Sequence, residues 1–413
     1  MWSEVKQGMT IIRVLYIEEN QDGTTGGSHF CLLDLIKNID KNKIDPYVIF
    51  YENNRLFDDF KNETINTFIY KRPRPIRLEK KINFRFFKKK YELLKIPNSL
   101  INIIITDIIP LIYFVYFLLK NKIQIIHLNN TVFAGILWVV AAKFVRIKVV
   151  VHERTILNYV PRINRFHHKW VDYILGMSKS SKLYLESSGV NTSKYSTFYD
   201  RIDVKKYQER ITKTRELIRK ELNINENQPV IGIVGNLQRW KGQLIVIEAV
   251  KILKSKHPKI KCLLIGDSST TKHDDVFYFK EIKEKIKHWK LENSVVLTGH
   301  RSDIPDILNA LDIFIHASLT PEPYGLVVLE AMAIGKAVIA SNQGGPVEMI
   351  ENGKSGILIE PGSPQVLAKQ IDFLLADSQK MKLLGTEALN RVKSKFTVFD
   401  NKFIEDLYER LVR

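Results

Sequence analysis

The stretch Ile313–Gly335, IFIHASLTPEPYGLVVLEAMAIG, decides how the chain is read. A strand-like run, Ile313 to His316, leads into a loop broken by Pro321 and Pro323. Gly325 then opens an apolar run of helical length, Leu326 to Ile334, and Gly335 closes it where a helix C-cap favours glycine. In this reading Gly325, Leu326 and Val327 present free backbone N–H groups at a helix start, a geometry that receives phosphate without a side-chain cation. Tyr324 and Glu322 stand just before that start. Glu330 lies one turn inside, on the face of Leu326 and Val327. Two carboxylates beside an anion site repel the anion. They fit if their partners are neutral hydroxyls.

The same strand–loop–helix unit recurs on both sides of this stretch. Downstream of a charged connection, Val204 to Gln228, come VIGIVGNLQRWKGQLIVIEAVKIL from Val230, KCLLIGD from Lys261, SVVLTG from Ser294 and KAVIASN from Lys336. Upstream lie IIRVLYIEEN from Ile11, KIQIIHLNN from Lys122, KVVVHERTI from Lys148 and VDYILGMSK from Val171. Alternating strands and helices through 413 residues imply two doubly wound parallel-sheet α/β domains, too large together for one core. We place the first at residues 1–203 and the second at 204–395, with a last helix over 396–413. In open parallel sheets ligands gather at the C-terminal ends of the strands. There the sequence puts Gly26 and Gly27, His127 with Asn129 and Asn130, and His152 with Glu153 and Arg154. The group at His127 either lines a ligand pocket or caps a helix.

EPYGLVVLEAMAIGK resembles the E-x7-E signature of the retaining glycosyltransferases of family 4 (group 1), which have the GT-B fold of two Rossmann-like domains facing a cleft. Other pieces match in order: VGNLQRWKGQ, LLIGDS, LTGHRSDIPDILNALD and SNQGGPVEMIENGKSGILI. The resemblance covers most of 230–393 and is looser over 11–203. It implies transfer of a sugar from a nucleoside diphosphate, as a UDP- or GDP-sugar, to an acceptor hydroxyl with retention and without a metal or other cofactor. On it, Glu322 meets donor-sugar hydroxyls and Glu330 the ribose. Lys241 is the phosphate-binding lysine, and His152 stands near the reacting sugar. Gly299, His300 and Arg301 lie against the nucleotide, and Gly26–Gly27 form the glycine loop of the first domain. His127, Asn129 and Asn130 belong to the acceptor side. One position departs: Asn236 stands where the family has arginine, so Arg239 is the candidate for the second cation.

Charge adds a further expectation. The net charge is +18, and residues 1–203 hold 31 Lys and Arg against 19 Asp and Glu. The strongest run, KRPRPIRLEKKINFRFFKKKYELLK over 71–95, interleaves cations with aromatics and precedes LINIIITDIIPLIYFVYFLL, Leu100 to Leu119. Asp107 and Pro110 interrupt that apolar run, and α/β pattern continues beyond it, so a helix at a membrane interface is preferred to a span. A buried core helix is the plain alternative. The segment 71–119 thus points to an anionic membrane surface, a lipid-linked or oligosaccharide acceptor, and a cytoplasmic chain peripheral on the inner face of the cell membrane. No nucleic-acid motif accompanies the basic run. Met1 to Thr10 is polar and reads as no leader. Cys31 and Cys262 read as buried free thiols. A non-catalytic binder of sugar nucleotide or membrane with the same fold is the alternative function.

Overall fold

The computed structural model describes residues 11–20, 26–75, 98–156, 166–268, 273–397 and 401–413. Contacts divide the chain into two compact units. Unit 1 comprises Met1–Gly176, Lys182–Thr197 and Phe399–Arg413; unit 2 comprises Met177–Ser181 and Phe198–Val398. The change at Thr197/Phe198 has a local cause. Tyr195–Thr197 still pairs with the first sheet, whereas Ile202 and Val204 are buried in the core of unit 2.

Unit 1 is built on seven strands: β1 (Ile12–Glu18), β2 (Ile44–Phe50), β3 (Asn66–Ile69), β4 (Ile125–Leu128), β5 (Lys148–Glu153), β6 (Tyr173–Gly176) and β7 (Tyr195–Thr197). All pairings are parallel, in the order β3-β2-β1-β4-β5-β6-β7. Runs such as Val149–Val151 and Ile125–Leu128 are buried on both faces, as parallel strands require. The helix Ser99–Lys120 turns Phe114, Phe117 and Leu118 into this core, where Phe114 stacks on Trp138 of the helix Ile136–Phe144. The last helix, Lys402–Val412, belongs to unit 1. Its stripe Ile404, Leu407 and Tyr408 is buried, and Asn401 Nδ2 donates to the Leu35 carbonyl at 3.2 Å. The basic run expected to touch headgroups lies, beyond residue 75, outside the described residues.

Unit 2 holds β8 (Val230–Val234), β9 (Lys261–Ile265), β10 (Val295–Gly299), β11 (Ile313–His316), β12 (Ala337–Ser341) and β13 (Ile357–Ile359), all parallel, in the order β10-β9-β8-β11-β12-β13. Both sheets therefore reverse winding direction once, at β1/β4 and at β8/β11. A crevice opens outside the strand ends at such a point. Each fully buried Val, Ile or Leu in the two cores stabilises by roughly 1.5–3 kcal/mol. The strand frame is thus fixed by burial, and the loops beyond it are left to carry chemistry.

Candidate functional site

In unit 2 the loops after β8 and β11 lie against each other. Gly242, at φ +76°, ends the β8 loop. A Cβ there would lie 2.0 Å from the Ala317 carbonyl oxygen, so only glycine lets the two backbones meet. Leu319 N–H donates to the Trp240 carbonyl at 2.7 Å across the same seam. This brings Lys241, in a 3-10 turn over Arg239–Lys241, to Glu322: Nζ to Oε1 is 2.7 Å. His316, at the end of β11, donates from Nε2 to Glu322 Oε2 at 2.7 Å, and Ser318 Oγ donates to the same oxygen at 3.2 Å. A carboxylate only accepts, so the His316 proton sits on Nε2. Burial alone would raise the Glu322 carboxyl, but the Lys241 ammonium and the His316 bond override it and hold it well below the usual carboxylate range.

The backbone of Glu322 is clamped as well. Gly345 N–H donates to the Glu322 carbonyl at 2.8 Å, and a Cβ on Gly344 would lie 2.3 Å from that oxygen. Tyr324 is buried and donates from Oη to the Asp200 carbonyl. Gly325 (φ +90°) is the N-cap of the helix Leu326–Ala333 and supplies no side chain to its first N–H groups. Gly335 N–H bonds the Met332 carbonyl at 2.9 Å and closes the helix as the sequence suggested.

Glu330 has a different environment. Burial pushes its carboxyl up to about 7, against the opposing Arg210 guanidinium and Tyr207 hydroxyl. Both come from the segment of the helix Val204–Glu209 and its end, which the sequence reading treated as connection.

The remaining sequence candidates of unit 2 separate. Arg239 does not join Lys241. It pairs with Glu281 at 2.5 Å, lies over the Tyr278 ring and is more than half exposed. Asn236 is exposed, and its carbonyl accepts from Gln243 Nε2 at 3.0 Å. Arg301 is held by Asp303 at 2.8 and 2.6 Å and by Glu221 at 2.6 Å. Gly299 and the exposed His300 end β10 beside it. Asp303 makes no cap bond of its own and is spent on Arg301.

In unit 1 a second polar cluster forms at the ends of β1, β4 and β5. Glu18 is buried and accepts from Asn129 Nδ2 at 2.6 Å and from Asn130 Nδ2. Asn129 Oδ1 accepts from Arg154 Nε at 3.2 Å. Arg154 Nη2 also donates to His152 Nδ1 at 3.2 Å, which puts the His152 proton on Nε2. His127 Nδ1 meets Tyr408 Oη at 2.5 Å. Burial, then the Arg154 charge, lowers His127 to about 3, so it is neutral. Burial and the charges of Glu18 and Glu153 raise the neighbouring Glu19 well above the usual range. Gly26 N–H approaches His29 Nδ1 at 3.4 Å at the start of the helix Gly27–Lys37, and that nitrogen lies 4.0 Å from Glu18 Oε1.

Sequence reasoning missed His316, Ser318, Tyr207, Arg210, Glu18 and Tyr408. The signal for His316 and Glu18 was present, since both are polar residues at the C-terminal end of an apolar strand.

Residues 214–391 match the family described as glycosyl transferases group 1. The spore coat protein SA of Bacillus subtilis is 32% identical over 209 residues, 49% of this chain and 55% of that protein. The capsular polysaccharide biosynthesis glycosyltransferase CapM of Staphylococcus aureus is 31% identical over 197 residues, 48% of this chain and 49% of its own length. The chain thus spans about half the length of these curated relatives. Among solved structures, Anabaena HepE in complex with UDP and glucose superposes with a TM-score of 0.76 at 25% identity, covering 96% of this chain and 99% of that one. With two parallel-sheet units, this likeness gives the chain the GT-B fold.

Proposed function

We propose that this chain is a group 1 glycosyltransferase that moves a sugar from a nucleoside diphosphate to an acceptor hydroxyl with retention of configuration. The observation that carries the reading is the Lys241–Glu322–His316 triangle, set beside the uncapped start of the helix Leu326–Ala333. A diphosphate entering there meets the Lys241 ammonium and the first-turn N–H groups, both placed where negative charge develops on the leaving group. Glu322, released from Lys241, stays ionised and accepts from donor-sugar hydroxyls. Glu330, as a carboxylate, accepts from the ribose. Arg239 reaches the diphosphate by leaving Glu281, a cheap step for so exposed a pair. In the transfer the bond from the anomeric carbon to the phosphate oxygen breaks and the bond to the acceptor oxygen forms on the same face. The acceptor proton passes to the departing phosphate oxygen. No metal is needed in this scheme, because Lys241 and the helix start supply the positive charge.

HepE binds UDP and glucose, which favours a UDP-sugar as donor. His152, His127, Asn129 and Asn130 make the acceptor side in unit 1. The acceptor is a lipid-linked glycan of surface polysaccharide, lipopolysaccharide or glycolipid synthesis, met on the inner face of the cell membrane. A non-catalytic sugar-nucleotide binder is the second reading, favoured by Asn236 and by the outward-turned Arg239. Release of nucleoside diphosphate from a panel of UDP- and GDP-sugars with extracted lipid acceptor separates the two. Donor-dependent release lost in Lys241→Ala and Glu322→Ala supports the transferase. Donor binding without turnover on any acceptor supports the binder.

A further inference from the structure

Neither polar cluster uses the helix Ser99–Lys120. Among the described residues it is the one helix long and apolar enough to cross a membrane. It does not cross one as folded, because Phe114, Phe117 and Leu118 are committed to the core of unit 1: Phe114 stacks on Trp138 at 3.7 Å and Phe117 meets Phe68 edge-on at 5.2 Å. The other side is bare. Ile104, Ile108, Ile109, Ile112, Tyr116 and Leu119 are each 45–64% exposed. A continuous ridge of this size is far more than scattered surface apolar residues and marks an interaction face.

What lies beside the ridge identifies its occupant. A cavity of about 400 Å³ is lined, among the described residues, by Arg72, Arg74, Tyr51 and Thr106, together with the carboxylate of Glu52. Thr106 belongs to the helix itself, in the π-helical turn Ile104–Ile108, so the helix that carries the ridge also lines the cavity. Its hydroxyl donates to the Asn102 carbonyl at 2.8 Å and lies 2.9 Å from Asp107 Oδ2. Lys71, Arg72 and Arg74 are exposed, and the sequence from 71 to 95 carries 11 Lys and Arg against two Glu. At the far end, Lys120 Nζ lies 5.5 Å from the Tyr116 ring centroid, an ammonium drawn up along an aromatic. Lysines such as Lys71 and Lys120 are depleted from protein interfaces. An apolar ridge flanked by cations and tyrosines matches a bilayer interface, with acyl chains under the ridge and phosphates at its edge.

We propose that the Ser99–Lys120 ridge, with Arg72 and Arg74, seats unit 1 on an anionic phospholipid leaflet, and that the Arg72–Arg74–Thr106 cavity holds one lipid phosphate. The glycosyltransferase reading supplies only the purpose of this docking, namely reach to a lipid-linked acceptor.

The full chain is tested by co-sedimentation with vesicles of phosphatidylcholine, with and without phosphatidylglycerol, in the absence of donor and acceptor. Wild type binds the mixed vesicles about tenfold or more tightly than the neutral ones. Ile109→Ser with Ile112→Ser weakens binding to the mixed vesicles about tenfold or more. Arg72→Gln with Arg74→Gln removes the preference for phosphatidylglycerol while residual binding stays. These side chains are exposed, so unchanged thermal melting checks that the variants fold. Equal binding of wild type to both vesicles overturns the proposal. So does an isoleucine variant that binds like wild type, or one that changes only a dimer-to-monomer equilibrium. Nucleoside diphosphate release with a short soluble acceptor is read in parallel. Its absence beside intact vesicle binding breaks the enzyme reading alone, and the converse breaks the docking alone.

Discussion

The polar clusters of the two units sit at equivalent strand ends and handle charge in opposite ways. In unit 2, Lys241, Glu322 and His316 keep a carboxylate ionised, with Lys241 and Glu322 each about one-seventh exposed. In unit 1, burial drives His127 to its neutral form and raises Glu19, while Glu18 is spent on two amides. The first arrangement suits a charged ligand that exchanges one ion pair for another. The second suits neutral hydroxyls, which need donors and acceptors already oriented and no net charge. Similar sheets thus present different polar groups, because loop glycines in unit 2 let the loops that carry Lys241 and Glu322 meet, while the last helix brings Tyr408 to His127 in unit 1.

The contrast breaks most readily at Lys241. Lys241→Ala is expected to lower kcat/KM for donor turnover by about a thousandfold, comparable to losing a key charge-stabilising donor. Steady-state nucleotide release measures it, and a loss under tenfold would show that unit 2 does not work by charge. Next comes the seam that makes that site. Gly242→Ala meets the Ala317 carbonyl at φ +76° and should cost about 2–3 kcal/mol in urea unfolding. In unit 1, Tyr408→Phe removes the hydroxyl at His127 and should cost about 1–2 kcal/mol, since a buried ring nitrogen loses its partner.

A pH series sharpens the comparison further. Glu330 is raised to about 7, so below that value it is protonated and cannot accept from a ribose hydroxyl pair as a carboxylate does. Donor affinity should therefore rise with pH up to about 7 and then level, by at most about tenfold per pH unit, with Glu330→Gln flattening the curve. The stability sign is opposite. The folded state holds this proton more tightly than the unfolded chain, so the contribution is complete below the unfolded value and is lost as pH rises through 7. Titration calorimetry at several pH values reads the first effect and thermal melting the second. Arg239→Ala is the mildest test. It should change stability by less than about 1 kcal/mol and lower turnover only several-fold. A hundredfold loss would make Arg239 an equal partner of Lys241, and no loss would leave Lys241 alone.

Much of this molecule was legible as sequence, for reasons of range. β-branched runs bounded by glycine loops announce parallel strands, because burial on both faces selects them locally. The motif from Glu322 to Glu330 is readable because the loop, Gly325 and the helix are neighbours along the chain. The tertiary structure alone decided who meets whom. Lys241 and Glu322 are 81 residues apart, and His127 and Tyr408 are 281 apart. No local pattern shows that Tyr207 and Arg210 attend Glu330, or that Arg239 turns to Glu281. Nor does composition say which side of Ser99–Lys120 is buried: Phe114 and Ile112 are both apolar, and only packing against Trp138 sends one inward and leaves the other in water. Backbone preference and burial are properties of short stretches and so appear in the sequence. Pairing depends on where the folded sheets bring distant strand ends, and that the sequence does not print.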